Sequence, residues 1–306
     1  IAVHDTFWTD SCMYADIVLP ADTALERTDC HWAYGSWYLG INKPVIEPQG
    51  ESVRNTELFR MLADKMGYVD STDNAFTQTD EEIIKDILLE AENEDGERFN
   101  CLTEGINYDD VVKNGWARAS TNSKRRDFLN SGWATPSGKI EIKCEAITAE
   151  YPDVSPFPEY VPEIKGQYDP LKSKYPIQVL SSASHYFIGD SFQSVPRLQA
   201  MQSRPTVELS VNDAKARGIK DGDLVRLYNE QADTYCYAVI IDGLLDGVCG
   251  TQKQFKGSNT PNGLNVNNLN TEMLTDFGKS PTFYSVLVEI EKASEEMCKE
   301  AIKQGA

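Results

Sequence analysis

Chemistry at a protein site needs nucleophiles, bases or metal ligands at usable spacings, and this sequence offers few. Its seven cysteines stand at 12, 30, 101, 144, 236, 249 and 298, and its three histidines at 4, 31 and 185. Neither set has the close, repeated spacing that a zinc site or an iron–sulfur cluster requires, and no C-x-x-C pair occurs. Scattered and odd in number, the thiols read as reduced, buried small hydrophobes. No G-x-S-x-G elbow presents a serine nucleophile. The glycine turn Lys220-Asp221-Gly222-Asp223 is no phosphate cradle, because two carboxylates would repel an anion. What remains is a set of polar side chains suited to binding rather than to bond-making.

The chain that must position them has 306 residues, 41% of them hydrophobic and 25% charged, a soluble globular composition with length for one large or two ordinary domains. Lys and Arg number 29 against 48 Asp and Glu, a net charge of −19. An acidic surface of that size repels phosphate backbones, which argues against nucleic acid or an anionic membrane as partner. No apolar run reaches bilayer length, so no membrane span is expected. The sequence opens Ile1-Ala2-Val3-His4-Asp5 without an initiator methionine, and is read as part of something longer.

Patterning divides the chain. Ile1–Val3, a short helix from about Thr9 to Ala15, and Asp16–Pro20 fit strand, helix and strand of a parallel α/β sheet, whose strand ends are where ligands collect. Residues 21–52 are read as irregular, with His31, Trp32, Tyr34, Trp37 and Tyr38 forming either a packing cluster or the wall of a substrate funnel. Helices are predicted over Asn55–Met66, stopped by Gly67, and over Thr79–Asn93, opened by a Thr79/Glu82 capping box, with a shorter one over Tyr108–Asn114. The turn Thr135-Pro136-Ser137-Gly138 leads into Lys139–Lys143, whose alternation predicts a strand. Six prolines between Tyr151 and Pro176 predict an extended connector and a domain boundary.

Beyond the connector the period changes. Strands are predicted over Ile177–Ser181, Thr206–Val211, Leu224–Asn229, Tyr235–Ile241, Val248–Phe255 and Phe283–Glu289, with one small helix, Asp213–Arg217, capped by Asn212 and ended by Gly218. Many short strands around one small helix predict a β-barrel.

Five stretches, in order, resemble the molybdopterin oxidoreductases of the dimethyl-sulfoxide-reductase superfamily. Asp5-Thr6-Phe7-Trp8-Thr9-Asp10 with Tyr14 to Ala21 is similar to that family's D-x-F-x-T-D-T-A-x-x-A-D-x-V-L-P-A. Glu26, Glu47-Pro48-Gln49-Gly50-Glu51 and Asn55 resemble its "E…EP.GE…N" run, and Thr135 to Glu141 its T-P-S-G-K-x-E. Ser184-His185-Tyr186-Phe187 to Ser191-Phe192 resembles its H-x-F-x-x-S-F segment. Val207-Glu208-Leu209 through Asp213-Ala214, Gly218-Ile219 and Asp221 to Val225 resemble its barrel signature. Each match alone is weak; their order over nearly the whole chain is what carries the resemblance.

The resemblance implies an α/β end of a dinucleotide-binding region with helical and irregular inserts over residues 1–165 and a six-stranded, double-psi-like barrel binding molybdopterin dinucleotide over 166–292; beyond it the tail, 293–306, reads as a C-terminal helix, from Glu295 to Lys303. It implies molybdenum or tungsten held by a bis(pterin guanine dinucleotide) cofactor, with the metal ligand, and an iron–sulfur (4Fe–4S) cluster in members that carry one, supplied by an N-terminal portion upstream of residue 1. Partners so implied are that portion, a small-molecule substrate and an electron-transfer subunit; no catalytic residue or metal ligand is expected here.

Within this frame six residues are candidate cofactor contacts. Asp5, just past a strand end, could accept hydrogen bonds from a guanine edge, or could be a turn aspartate. Asn55 lies near the guanine by resemblance, or is a helix N-cap. Ser184, His185 and Ser191 fall in the segment that wraps a pterin and its phosphates in relatives, although Gly189-Asp190 departs from the usual Asn-Ser there. Asn267, in Val266-Asn267-Asn268-Leu269, resembles the family's V-N-x-L-T, where the amide reaches the pterin. Asn212 replaces the usual proline before Asp-Ala, and Asp213 is read as structural. Lys253 and Lys256 could balance phosphate charge, or lie on a solvated face. The functions open to such a chain are a redox enzyme, a non-redox hydratase or transhydroxylase of the same superfamily, and a nucleotide-binding module without catalysis.

Overall fold

The computed structural model describes residues 1–68, 76–88, 106, 108–118, 132–163, 165–253, 255–297 and 299–300. It forms two compact units, Ile1–Pro158 and Glu159–Ala306, and the division falls inside the proline-rich stretch.

In the first unit, β1 (Ala2–Asp5) and β2 (Ile17–Pro20) pair in parallel, with Ala2 opposite Ile17 and Asp5 opposite Pro20. A 3₁₀ turn over Asp10–Tyr14 makes the crossover, burying Cys12. Parallel neighbours put both carboxyl-terminal ends on one side, which is where Asp5 and Ala21 emerge. Residues 21–52 contain regular structure that the sequence reading missed. β3 (Asp29–Trp32) and β4 (Tyr38–Asn42) form an antiparallel hairpin, and β5 (Trp116–Arg118) adds to β4. The turn is closed by the Trp32 indole N–H donating to Ser36 O at 2.7 Å. Leu39 and Ile41 point inward while Tyr38 stays exposed, so β4 does alternate; the run of aromatics across the turn hides the period.

Helix α1 (Asn55–Met66) ends at Gly67, whose φ of 77° supplies the left-handed residue that closes a helix. Helix α2 (Asp80–Leu88) starts with the expected box: Thr79 Oγ1 accepts from Glu82 N–H at 3.2 Å, and Glu82 Oε2 from Thr79 N–H at 2.7 Å. The remainder of the predicted Thr79–Asn93 helix lies outside the described residues. Helix α3 (Tyr108–Asn114) completes a core in which Ile84, Leu88, Ile106 and Val111 cover Leu39 and Ile41.

The strand predicted at Lys139–Lys143 does not form. Ile140 and Ile142 are both about two-thirds exposed, at 67% and 69%, and the Glu141 carboxylate turns back to accept from Ser137 N–H. Alternation alone does not hold a strand, and among the described residues none pairs with this one. A six-residue helix, α4 (Glu145–Glu150), follows it.

The second unit is a closed barrel. Its strands are β6 (Ile177–Ser182), β7 (Thr206–Ser210), β8 (Leu224–Tyr228), β9 (Asp233–Ile241), β10 (Val248–Gln252) and β11 (Leu287–Lys292). Around the barrel the order is β10-β6-β11-β8-β9-β7, with β10/β6 and β7/β9 parallel and the other four pairs antiparallel. The last strand lies a few residues later than predicted. Inward residues alternate along each strand, and Val179, Val207, Leu209, Val225, Leu227 and Val288 are fully buried among them. Two short helices, α5 (Pro196–Met201) and α6 (Val211–Ala216), decorate it. The cap of α6 is Ser210, not Asn212: Ser210 Oγ accepts from Asp213 N–H at 3.0 Å, while Asn212 donates to Asp246 at 2.9 Å. The register of β7 puts the hydroxyl, two residues earlier than expected, beside the helix N-terminus. Of the tail helix expected over 293–306, residues 298 and 301–306 lie outside the described residues.

Candidate functional site

In the first unit the ends of β1 and β2 open into a cleft of about 420 Å3, and Asp5 and Asn55 both line it, with His4, Thr6, Asp22 and Arg27. Asp5 Oδ1 accepts from the backbone N–H of Thr6 at 2.7 Å and of Phe7 at 3.3 Å, which fixes the carboxylate against the turn after β1. Among the described residues no hydrogen bond engages its Oδ2. Asn55 is not the N-cap that a bland reading makes it. Arg54 takes that position without a capping side chain, and Asn55 is the first residue of the helix. Its amide lies 2.8 Å from His4 Nδ1, and His4 Nε2 lies 3.1 Å from Pro20 O.

Bonded charge lies at the cleft and beside it, with Asp22 and Arg27 in its lining. Asp22, 2% exposed, accepts from Arg27 Nη1 at 2.9 Å, and Arg27 also reaches Asp29. Asp80 receives Arg54, Thr56 and Arg60. Burial by itself would raise the Asp80 carboxyl, but those donors outweigh it and hold it at about 2. Glu26 accepts from Thr23 N–H and Gln49 N–H, each at 2.6 Å, so the two halves of the "E…EP.GE" run meet through one carboxylate. Those bonds, Thr23 first, keep Glu26 below the ordinary range for a glutamate.

In the second unit the candidates are placed less tightly. Ser184 Oγ donates to Gln202 Oε1 at 2.6 Å and accepts from Tyr186 N–H, a local structural use. His185 is exposed, its ring edge-on to Tyr186 at 4.8 Å. Ser191 pairs its backbone with Ile188, next to Phe192, which adopts φ 71°. Asn267 is exposed on the 3₁₀ turn Val266–Leu269, which Asn265 caps.

No hydrogen bond among the described residues joins Ser184, His185, Ser191 and Asn267 to one another. Their segments are linked through a third one. Gln193, 1% exposed, accepts from Lys256 N–H at 2.7 Å and donates to Gly189 O. Phe187 packs on Phe255, and Asn265 donates to Phe255 O at 2.7 Å. Lys256 Nζ is bonded to Ser194. The sequence reading passed over Gln193 and Asn265, whose type and neighbours carry no signal of burial.

A pterin–guanine dinucleotide asks for acceptors toward its base and for polar atoms along its length. The Asp5–Asn55 cleft supplies the former. Beside the Asn265–Asn270 turn, Thr271 Oγ1 is buried without a hydrogen-bond partner, an unmet polar group of the kind a bound polar ligand satisfies. The residues present therefore fit such a group. Among the described residues no cluster of His, Cys, Asp and Glu could hold a metal ion, and no helix is long and apolar enough to cross a membrane.

A parallel strand pair opens into a polar cleft, and a closed six-stranded mixed barrel follows it, the architecture that the sequence resemblance implies. The Molydopterin dinucleotide binding domain family matches residues 177–287, nearly the whole barrel. Over 291 residues the chain is 32% identical to the probable oxidoreductase YoaE of Bacillus subtilis, covering 95% of this chain and 39% of that protein. It is 27% identical to the dimethyl sulfoxide reductase DmsA of Escherichia coli, with 95% and 38% covered. The structure of acetylene hydratase from Pelobacter acetylenicus superposes with a TM-score of 0.74 at 18% identity, covering 95% of this chain and 40% of that one, which speaks to the fold alone. The chain belongs to the dimethyl-sulfoxide-reductase superfamily of molybdopterin oxidoreductases, whose cofactor is the molybdopterin guanine dinucleotide with its metal. It spans about two fifths of the length of the curated relatives it matches.

Proposed function

We propose that this chain supplies the dinucleotide-holding part of a molybdenum- or tungsten-dependent oxidoreductase, which oxidises or reduces a small molecule by oxygen-atom or hydride-equivalent transfer in the whole protein. The observation that carries this is the convergence of Asp5 and Asn55 in one cleft at the carboxyl ends of β1 and β2. In the first unit these two residues read a guanine base; in the barrel, Ser184, His185, Ser191 and Asn267 contact pterin and phosphates. When bound, the cofactor supplies the metal-centred redox chemistry. The protein's part is to orient it, exclude water and tune it by hydrogen bonds. An electron-transfer subunit or an iron–sulfur cluster would deliver the electrons.

Relatives above 25% identity carry the names of oxidoreductases and reductases, which supports a redox reading. The hydratase neighbour, at 18% identity, lends its fold and not its chemistry. The test is elemental analysis for molybdenum and tungsten, with pterin fluorescence after oxidation, on full-length protein made with the cofactor pathway intact. Stoichiometric metal with two guanine nucleotides released per metal is expected. Absence of both metal and pterin overturns the proposal.

A further inference from the structure

We infer that His4 is a positioning residue that decides which end of the Asn55 amide faces the cleft, and so which base edge the cleft accepts. The inference rests on the reading of Asp5 and Asn55 as the base-binding pair. His4 precedes Asp5 on β1, and its ring is held at both nitrogens: Nε2 lies 3.1 Å from Pro20 O, and Nδ1 lies 2.8 Å from the Asn55 amide, whose Oδ1 takes the near position.

Proton counting does the rest. A backbone carbonyl only accepts, so Nε2 carries a hydrogen and donates it to Pro20. If Oδ1 stays near Nδ1, that nitrogen must also carry a hydrogen, and the ring is an imidazolium. A neutral ring has a lone pair at Nδ1, which only the amide NH2 can meet. The two ends of an amide have nearly the same shape, so the hydrogen-bond network, not the fit, selects between them. With the neutral ring, Asn55 therefore gives its NH2 to His4 and turns Oδ1 to the cleft.

The cleft then shows two acceptors, Asn55 Oδ1 and Asp5 Oδ2. A base edge with two adjacent donors, such as guanine N1–H and its 2-amino group, satisfies both. An edge that mixes donor and acceptor leaves one of them opposed. With the imidazolium the amide reverses, and an N–H of Asn55 confronts an N–H of guanine. The other charged groups at this cleft are Asp5 on β1, and Asp22 and Arg27 on the segment after β2; Arg54, beside Asn55, is taken by Asp80.

The experiment compares guanosine and inosine diphosphate, which differ only in the 2-amino group, by calorimetric titration of the full chain freed of cofactor. It is run at about pH 8, an alkaline condition that favours a neutral ring. The unaltered protein is expected to prefer the guanosine nucleotide about tenfold or more. His4→Phe and His4→Gln, which leave no acceptor at the Nδ1 position, are expected to bring that ratio to about one, with inosine binding changed less than about threefold. His4→Asn, whose Oδ1 stands where Nδ1 stood, keeps the preference. Nitrogen-15 spectra, simple with three histidines, should show His4 protonated at Nε2 only.

Retention of the full preference in folded His4→Phe, or a His4 protonated at Nδ1 at that pH, overturns the inference. Should the unaltered protein itself fail to distinguish the two nucleotides, the base-reading pair falls first, and the role of His4 with it.

Discussion

The barrel and the unit before it are held by different physics. In the barrel every strand has two neighbours, and among the described residues sixteen buried ones form one apolar cluster in and around the closed ladder. In the first unit the sheets have two and three strands, and the apolar core around Leu39 and Ile41 has six buried residues among those described. Both units carry bonded charges, but those of the first reach deeper: Asp22, paired with Arg27, is 2% exposed, and Asp80 takes both Arg54 and Arg60, while the barrel's pairs, such as Arg217 with Glu289 and Arg226 with Asp233, have more exposed carboxylates. The lesson concerns where a polar cleft can be afforded. Thr234 and Thr251, buried on the barrel strands, are hydroxyls that donate to backbone carbonyls, whereas the first unit buries the carboxylates of Asp22 and Glu26, already bonded, and opens its polar cleft at its strand ends.

The largest effects should come from attacking the barrel core. Leu209 is fully buried, so Leu209→Ala leaves a cavity that a closed ladder cannot collapse, and a loss of about 2–5 kcal/mol is expected. Leu39→Ala, in a shallower core free to relax, should sit at the low end of that range or below it. Hydrogen-exchange mass spectrometry, read peptide by peptide, reports each unit separately. Equal losses in the two units would erase the distinction.

Acid should act the other way round. Asp80 has an ordinary value of 3.8 and is held at about 2, because bonds from Arg54, Thr56 and Arg60 outweigh the burial that would raise it. The folded state thus binds this proton less readily than the unfolded one. Its stabilisation is complete above roughly pH 4 and is lost as pH falls through about 2. The first unit is expected to lose exchange protection across that window before the barrel does. Asp80→Asn should remove the acid step and cost about 1–3 kcal/mol at neutral pH. A barrel that opened first on acidification would contradict this.

The same contrast governs what could be read from the sequence. The barrel's strands and its small helix were legible because single-faced burial writes a period of two, as in Leu224, Val225, Arg226, Leu227 and Tyr228, punctuated by glycine and aspartate turns. In the first unit the signal failed in both directions. The β3–β4 hairpin was hidden because Trp32, Tyr34, Trp37 and Tyr38 put aromatics on both faces and in the turn, while Lys139–Lys143 alternates perfectly and pairs with no strand among the described residues. Of the site, Asp5 and Asn55 were found by motif and meet in one cleft. His4 was missed, since a histidine's use depends on what its two nitrogens face, and Pro20 and Asn55 are brought to it only by the fold.

The smallest effects sharpen the comparison through two helix caps of the same chemistry. Ser210, 2% exposed, accepts from Asp213 N–H and gives its own proton to Asp246 Oδ1 at 2.6 Å, while Asp213 Oδ2 accepts from Gly247 N–H. That hydroxyl thus joins the start of α6 to the turn before β10. Thr79 serves the start of α2 from an exposed position, in a box with Glu82 alone. An exposed cap is replaced in part by water when it is removed; a buried one strands its partners. Ser210→Ala is therefore expected to cost about 1–2 kcal/mol, and Thr79→Ala about 0.5–1 kcal/mol, each felt only in its own unit. Denaturant titration of both variants, followed by exchange in the α6 and α2 peptides, decides it. If the exposed cap proves the costlier of the two, burial does not set the scale of polar contributions in this molecule, and the division drawn between its units has to rest on the cores alone.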